Sequence, residues 1–149
     1  GVKSDTRLGV TFKECQDAEM HWRWFAKFPG TWRNDTRIFD SDMILYRVAE
    51  AYLMMAEAKN GQNKNAEAVA YINQMVSRAY GTTSAYPTSM SKDQITDIII
   101  DEYLKEFANE NKSFFSIVRN GKAFSRIFSL VGRENEQNIL YIPVSASCD

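Results

Sequence analysis

A chain of 149 residues, 44% hydrophobic and 25% charged, has the length of one ordinary domain and can bury a core without disulfide staples. That composition excludes a disordered tail, a collagen-like fibre and a disulfide-dense scaffold. Eighteen Lys and Arg against nineteen Asp and Glu leave a net charge of −1, which argues against a nucleic-acid partner and leads us to expect a ligand that is not a polyanion.

The first residues, Gly1-Val2-Lys3-Ser4-Asp5, carry neither a signal-peptide apolar stretch nor a lipidation cysteine. Residues 1–40 lack sustained periodicity and mix Gly, Pro, Asp and Thr with aromatics. We expect an ordered, aromatic-rich irregular segment with at most a short strand, because such aromatic density is seldom left in free solvent. All three tryptophans, Trp22, Trp24 and Trp32, fall here. Cys15 and Cys148 define no disulfide framework; a bridge is open, and two isolated thiols are the favoured reading.

From Ser41 the pattern changes, and residues 41–149 read as a helical region. Ile44, Leu45, Val48, Ala49, Tyr52, Leu53 and Ala56 recur at helical spacing, predicting a helix over 42–59. Asp40, Ser41 or Asp42 is its expected cap and Asn60-Gly61 its left-handed stop. A second helix over 64–79 is expected to bury Val69, Ile72, Val76 and Ala79 and to end at Gly81. The short turn between the two predicts an antiparallel helical hairpin.

Thr82 to Met90 is a Thr-, Ser- and Pro-rich loop, after which Ser91 and Gln94 spell a capping box. The third helix, over 92–109, is expected to bury Ile95, Ile98, Ile99, Leu104 and Phe107. A short fourth helix carries Phe114, Phe115, Ile117 and Val118 and stops at Asn120-Gly121. Met54-Met55 and Phe114-Phe115 read as packing residues. Ile139 to Val144 looks extended and is closed by Pro143. Apolar runs such as Ile98-Ile99-Ile100, flanked by Asp97 and Asp101, are far below the roughly 20 residues of a membrane-spanning helix. The fold class is therefore mainly α, with little β.

No catalytic constellation emerges. Glu102 and Glu106 lie four apart on one helix, and adjacent turns give a solvated or salt-bridged stripe far more readily than a glycosidase pair flanking a substrate. Glu50 and Glu57 read the same way, with Arg47 the expected partner of Glu50. His21, the sole histidine, has no neighbours suited to a metal site or a hydrolytic triad. No metal or cofactor is expected.

Trp22, Trp24 and Trp32 remain as candidate ligand-binding residues, because sugar rings present apolar C–H faces that stack on indole. Alternation in a strand puts Trp22 and Trp24 on one side and Phe25 on the other. Packing of these rings over the helical scaffold, or against the N-terminal half of a longer protein, is the competing reading, and the residues alone leave both open.

Ala56 and Ala68 stand twelve residues apart with Ile72 four later, the small-small-bulky pattern of a tetratricopeptide-like hairpin. One such unit cannot bury its own face. Taken alone, it supports a helical module for protein–protein interaction. Four longer stretches say more. Leu45 to Ala58 (LYRVAEAYLMMAEA) resembles the first conserved helix of SusD/RagB-type proteins, and Ala66 to Gly81 (AEAVAYINQMVSRAYG) resembles the segment that follows it. Ile98 to Gly121 (IIIDEYLKEFANENKSFFSIVRNG) and Asn138 to Ser145 (NILYIPVS) are similar to two later blocks of that family, in the family's order.

That resemblance implies a mainly helical, non-enzymatic lipoprotein on the outward face of the Bacteroidetes outer membrane. Such proteins sit over a TonB-dependent, SusC-like transporter and bind glycans, or peptides in some members, for nutrient import. It covers the C-terminal portion of a typical member. The lipid anchor and preceding hairpins have no counterpart here, so the chain is expected to be part of a longer protein. Tyr103 and Lys112 stand where the family usually has Arg, and Ser116 where it has Asp, implying a thinner internal salt-bridge network.

Overall fold

The computed structural model describes residues 5–16, 21–40, 42, 44–136 and 138–141, with the side chains of 15, 16, 21 and 22 outside that description. Its elements in order are α1 (Leu8–Thr11), β1 (Phe12–Gln16), β2 (His21–Phe25), β3 (Thr31–Arg33), β4 (Thr36–Ile38), α2 (Val48–Gly61), α3 (Asn65–Tyr80), α4 (Lys92–Glu106), α5 (Ser113–Arg119) and α6 (Ala123–Arg126), then a 3-10 turn at Phe128–Leu130. The fold is mainly α. Residues 1–113 and 114–149 form two compact units.

In the first unit, α2 and α3 pack closely as a hairpin, and Ala56 and Ala68 are fully buried in the same cluster, as the spacing of small residues predicts. Without bulk at those positions the two backbones approach, and Leu53, Val69, Ile72 and Val76 fill the remaining space. α4 covers this face and packs on both helices with Ile95, Ile99, Tyr103 and Phe107. Each such side chain contributes roughly 1.5–3 kcal/mol when fully buried. The exposed face that one repeat leaves is closed from within the unit.

Several boundaries differ from the expected ones, each for a physical reason. α2 begins at Val48 and not at 42, because Arg47 is extended (φ −146°, ψ 158°) and no side chain caps the helix. Ile44 and Leu45 keep helical spacing yet precede the helix and are exposed. The left-handed stop is Asn63 (φ 60°), two residues beyond Gly61, which is still helical. α3 ends where expected, with Gly81 left-handed at φ 63° and its N–H on Ser77 O at 2.8 Å.

α4 starts with both halves of the capping box. Gln94 N–H donates to Ser91 Oγ at 3.3 Å, and Ser91 N–H donates to Gln94 Oε1 at 2.9 Å. The helix stops at Glu106, where Phe107 leaves helical geometry (φ −107°, ψ 23°). Ile95, Ile99 and Tyr103 share its buried face, and Leu104 falls off that face and is exposed, against the expected burial. Asn73 holds the loop that precedes α4. Its side chain donates to Tyr86 O and accepts from Tyr86 N–H, both at 2.8 Å.

Met54, Met55, Phe114 and Phe115 are exposed and so are not the core residues their type suggests. In the second unit, α5 ends at the left-handed Gly121 (φ 68°), and Asn120 Nδ2 donates back to Ser116 O at 2.9 Å. Asn138 to Leu140 form a turn and not the expected extended segment; its remaining residues from 142, and Cys148, lie outside the described residues. No described helix is long and apolar enough to cross a membrane.

Candidate functional site

The segment expected to be largely loop contains two antiparallel β-hairpins. In the first, Lys13 pairs with Trp24 and Cys15 with Trp22, so positions 13, 15, 22 and 24 share one face of the ribbon. Phe12 pairs with Phe25, and Glu14 with Arg23, on the other face. There the two phenyl rings stand 4.7 Å apart, and Arg23 meets Glu14 at 2.5 Å. The alternation expected of Trp24 against Phe25 is present.

In the second hairpin Trp32 pairs with Arg37. Its two-residue turn, Asn34-Asp35, has both residues left-handed (φ 48° and 59°), the turn whose twist matches paired strands. Gly30 at its base is also left-handed (φ 66°), and a Cβ there would lie 2.6 Å from Ile38 O, so only glycine fits. The ribbon is tied by Thr31 and Arg33, which reach Asp40 at 3.0 and 2.8 Å, and by Arg37 Nε, which donates to Pro29 O at 2.6 Å.

The two hairpins meet around an open depression of about 670 Å³, lined by Lys13, Trp24, Pro29, Gly30, Trp32 and Arg37 among others. Trp24 is 40% exposed and Trp32 70% exposed, so neither ring is spent on the core. The structure thus brings Trp24 and Trp32 to one site. Trp22 shares the face of Trp24 by backbone register, and its side chain lies outside the described residues, as does that of His21.

A buried ionic cluster anchors this segment to α4. Arg47 grips Glu110 through two hydrogen bonds (3.0 and 2.9 Å) and reaches Glu106 Oε1 and the Glu106 carbonyl, both at 2.7 Å. Its guanidinium also lies 4.3 Å from the Phe107 ring centroid. Lys27, which follows β2 closely, pairs with Glu110 and donates to Glu106 O at 2.5 Å. Arg7 spans Asp5, Glu102 and Glu106 at 2.7, 2.7 and 3.3 Å. Glu102, with no exposed surface, accepts from Tyr80, Tyr86 and Lys105 on one oxygen at 2.8, 2.7 and 2.9 Å.

The Glu102–Glu106 stripe is therefore salt-bridged, as expected, but buried and not solvated. One local expectation gives way. Arg47 serves Glu106 and Glu110, while Glu50 takes Lys112 at 2.9 Å. The cations of the internal network arrive from residues 7, 27, 47 and 105, and Tyr103 packs 5.3 Å from Phe107. Burial alone would push the Glu102 carboxyl up, and the bonds from Lys105 and Tyr86 with the charge of Arg7 hold it below the ordinary range. Among the described residues no group of three or more His, Cys, Asp and Glu is placed to hold a metal ion.

Residues 7–142 match the family model described as the SusD family. The chain belongs to the SusD family. This SusD-family chain is 33% identical over 90 residues to SusD-like protein P25 of Formosa agariphila, covering 59% of the chain and 17% of that protein. It is 29% identical over 113 residues to SusD-like protein P38 of the same bacterium, covering 64% of the chain and 22% of that protein. The chain thus spans about a fifth of the length of these curated relatives. No solved structure matches it. Sequence reasoning about the SusD-family chain missed both β-hairpins, of which the second had a local signal, and the ionic clamp. Asn34-Asp35 between short aromatic and β-branched runs was the signal for the hairpin, whereas the clamp joins residues some 60 apart and leaves no local trace.

Proposed function

We propose that this chain supplies a glycan-binding surface to a non-enzymatic nutrient-binding lipoprotein on the outward face of the outer membrane. Its partner in that role is a TonB-dependent, SusC-like transporter, and its membrane attachment is a lipid anchor at the N-terminus of the longer protein. Membership of the SusD family supports the class of function. The observation that carries the site is the pairing of two part-exposed indoles, Trp24 and Trp32, around one open depression. Indole faces stack on the C–H faces of sugar rings, and an open depression admits one stretch of a longer chain. A binding role without catalysis is supported by Glu102 and Glu106, whose carboxylates are committed to Arg7, Arg47 and Lys105.

Calorimetry of the full chain against a panel of neutral and charged polysaccharides tests this reading. We expect Trp24→Ala and Trp32→Ala each to weaken glycan binding about tenfold, ~1.4 kcal/mol, with cooperative melting preserved, and Trp22→Ala to act in the same direction. Variants that bind as before place the site elsewhere. Variants that lose cooperative melting make the cluster part of the fold.

A further inference from the structure

Each hairpin sets a cation directly across the ladder from its indole, Lys13 opposite Trp24 and Arg37 opposite Trp32, and all four side chains line the same depression. Residues directly opposed on antiparallel strands have their Cβ atoms about 5 Å apart, so a ligand stacked on either ring lies within reach of the neighbouring charge.

The other cations of this region are spoken for. Arg7 pairs with Asp5, Arg23 with Glu14, Lys27 with Glu110 and Arg33 with Asp40. Lys13 has no such partner among the described residues. Arg37 spends its Nε on the Pro29 carbonyl and lies 5.0 Å over Phe39, leaving its two terminal nitrogens for a ligand. Among the described residues that line the depression there is no carboxylate. The charged residues among its described lining, Lys13 and Arg37, are both cations, although the chain as a whole carries −1.

From this arrangement we infer that the depression selects acidic saccharides, meaning sugars bearing a carboxylate or a sulfate ester. This inference rests on the glycan-binding reading and refines it. Sugar rings stack on Trp24 and Trp32, and their anionic substituents take charge-assisted hydrogen bonds from Lys13 and Arg37. The net charge predicts the opposite preference, but it sums many ion pairs whose charges already cancel, such as Arg23 with Glu14 and Arg33 with Asp40. A ligand meets only the charges within about a Debye length, roughly 8–10 Å at ordinary salt.

The test is calorimetry of the full chain with four probes: tetragalacturonate, its fully methyl-esterified form, a carrageenan tetrasaccharide and its desulfated form. The esterified and desulfated probes keep the sugar backbone and remove the charge. The two pairs separate carboxylate from sulfate as the favoured group. We expect one or both charged probes to bind about tenfold more tightly than the neutral counterpart, an advantage that shrinks with added salt. Lys13→Gln is expected to cost the charged probe about threefold more than it costs the neutral one, as suits an exposed cation. Arg37→Gln is expected to add to that loss, and Arg37→Lys to restore part of it, with melting curves confirming that the hairpin persists without the Pro29 bond.

Equal affinity for charged and neutral probes overturns the inference, as does a Lys13→Gln variant that discriminates as well as the parent. Equally tight binding of oligothymidylate or polyglutamate also overturns it, by making the site a general anion patch. If neutral probes bind and only the tryptophan variants weaken them, the acidic preference fails while the glycan-binding reading stands. If no probe binds and none of the polysaccharide panel does, both fail.

Discussion

Three donors converge on one oxygen of Glu102, and Arg7 approaches the other at 2.7 Å, which is how a carboxylate with no exposed surface keeps its charge. Arg47 does equivalent work for Glu106 and Glu110. Burial pulls the Arg47 guanidinium down, and the hydrogen bonds it donates to Glu110 and Glu106 outweigh that and raise it. Removing one member of such a cluster leaves a buried charge uncompensated, which costs more than the pair itself is worth. Arg47→Ala is therefore expected to lower stability by about 3 kcal/mol in urea unfolding. Arg47→Lys should retain the charge, lose the bidentate grip on Glu110 and fall between the two. A loss under about 1 kcal/mol for the alanine variant would place Arg47 among ordinary surface ion pairs. Helical spacing assigns Arg47 to Glu50, three residues away, and its actual partners lie 59 and 63 residues away. No local pattern reports a bond of that separation.

The helical hairpin is the element most legible in the sequence, because its determinants are local. Ala56 and Ala68 are small where the two helices approach closely, and their neighbours repeat with the helical period. Ala68→Leu is expected to destabilise the fold by about 1–3 kcal/mol, since a closely packed interface has no room for three added carbons. Thermal melting reads this directly, and an unchanged midpoint would mean that α2 and α3 are not in tight contact there. Helix ends were less legible. The apolar period runs on through Ile44 and Leu45, yet the chain turns extended at Arg47 so that its guanidinium can reach the end of α4. The strands were hidden for a related reason. Each is three to five residues long, too short for a period-two pattern to stand out among so many aromatics.

At the scale of the first compact unit, the clamp predicts how stability responds to acid. Glu102, Glu110 and Asp5 all titrate below their ordinary values of 4.5, 4.5 and 3.8. A carboxyl with a depressed folded pKa stabilises fully above its unfolded value and loses that contribution as pH falls through the folded one. The melting temperature is thus expected to drop as pH falls below these ordinary values, and a melting temperature unchanged down to about pH 3 would contradict the clamp. The same ions tie Arg7, Lys27 and Arg47 to Glu102, Glu110 and Glu106, so the proposed glycan binding should weaken over the same acid range. The helices from α2 through α5, the close crossing of α2 and α3, the capping box of α4 and the family could all be read from residues near one another in the chain. Folding in three dimensions was needed to bury Glu102 and Glu106, to bring Arg7 and Arg47 to them and Lys27 to Glu110, and to gather two indoles and two cations around one depression. Those arrangements depend on which distant side chains meet in space, and burial and electrostatics act on that distance rather than on position along the chain.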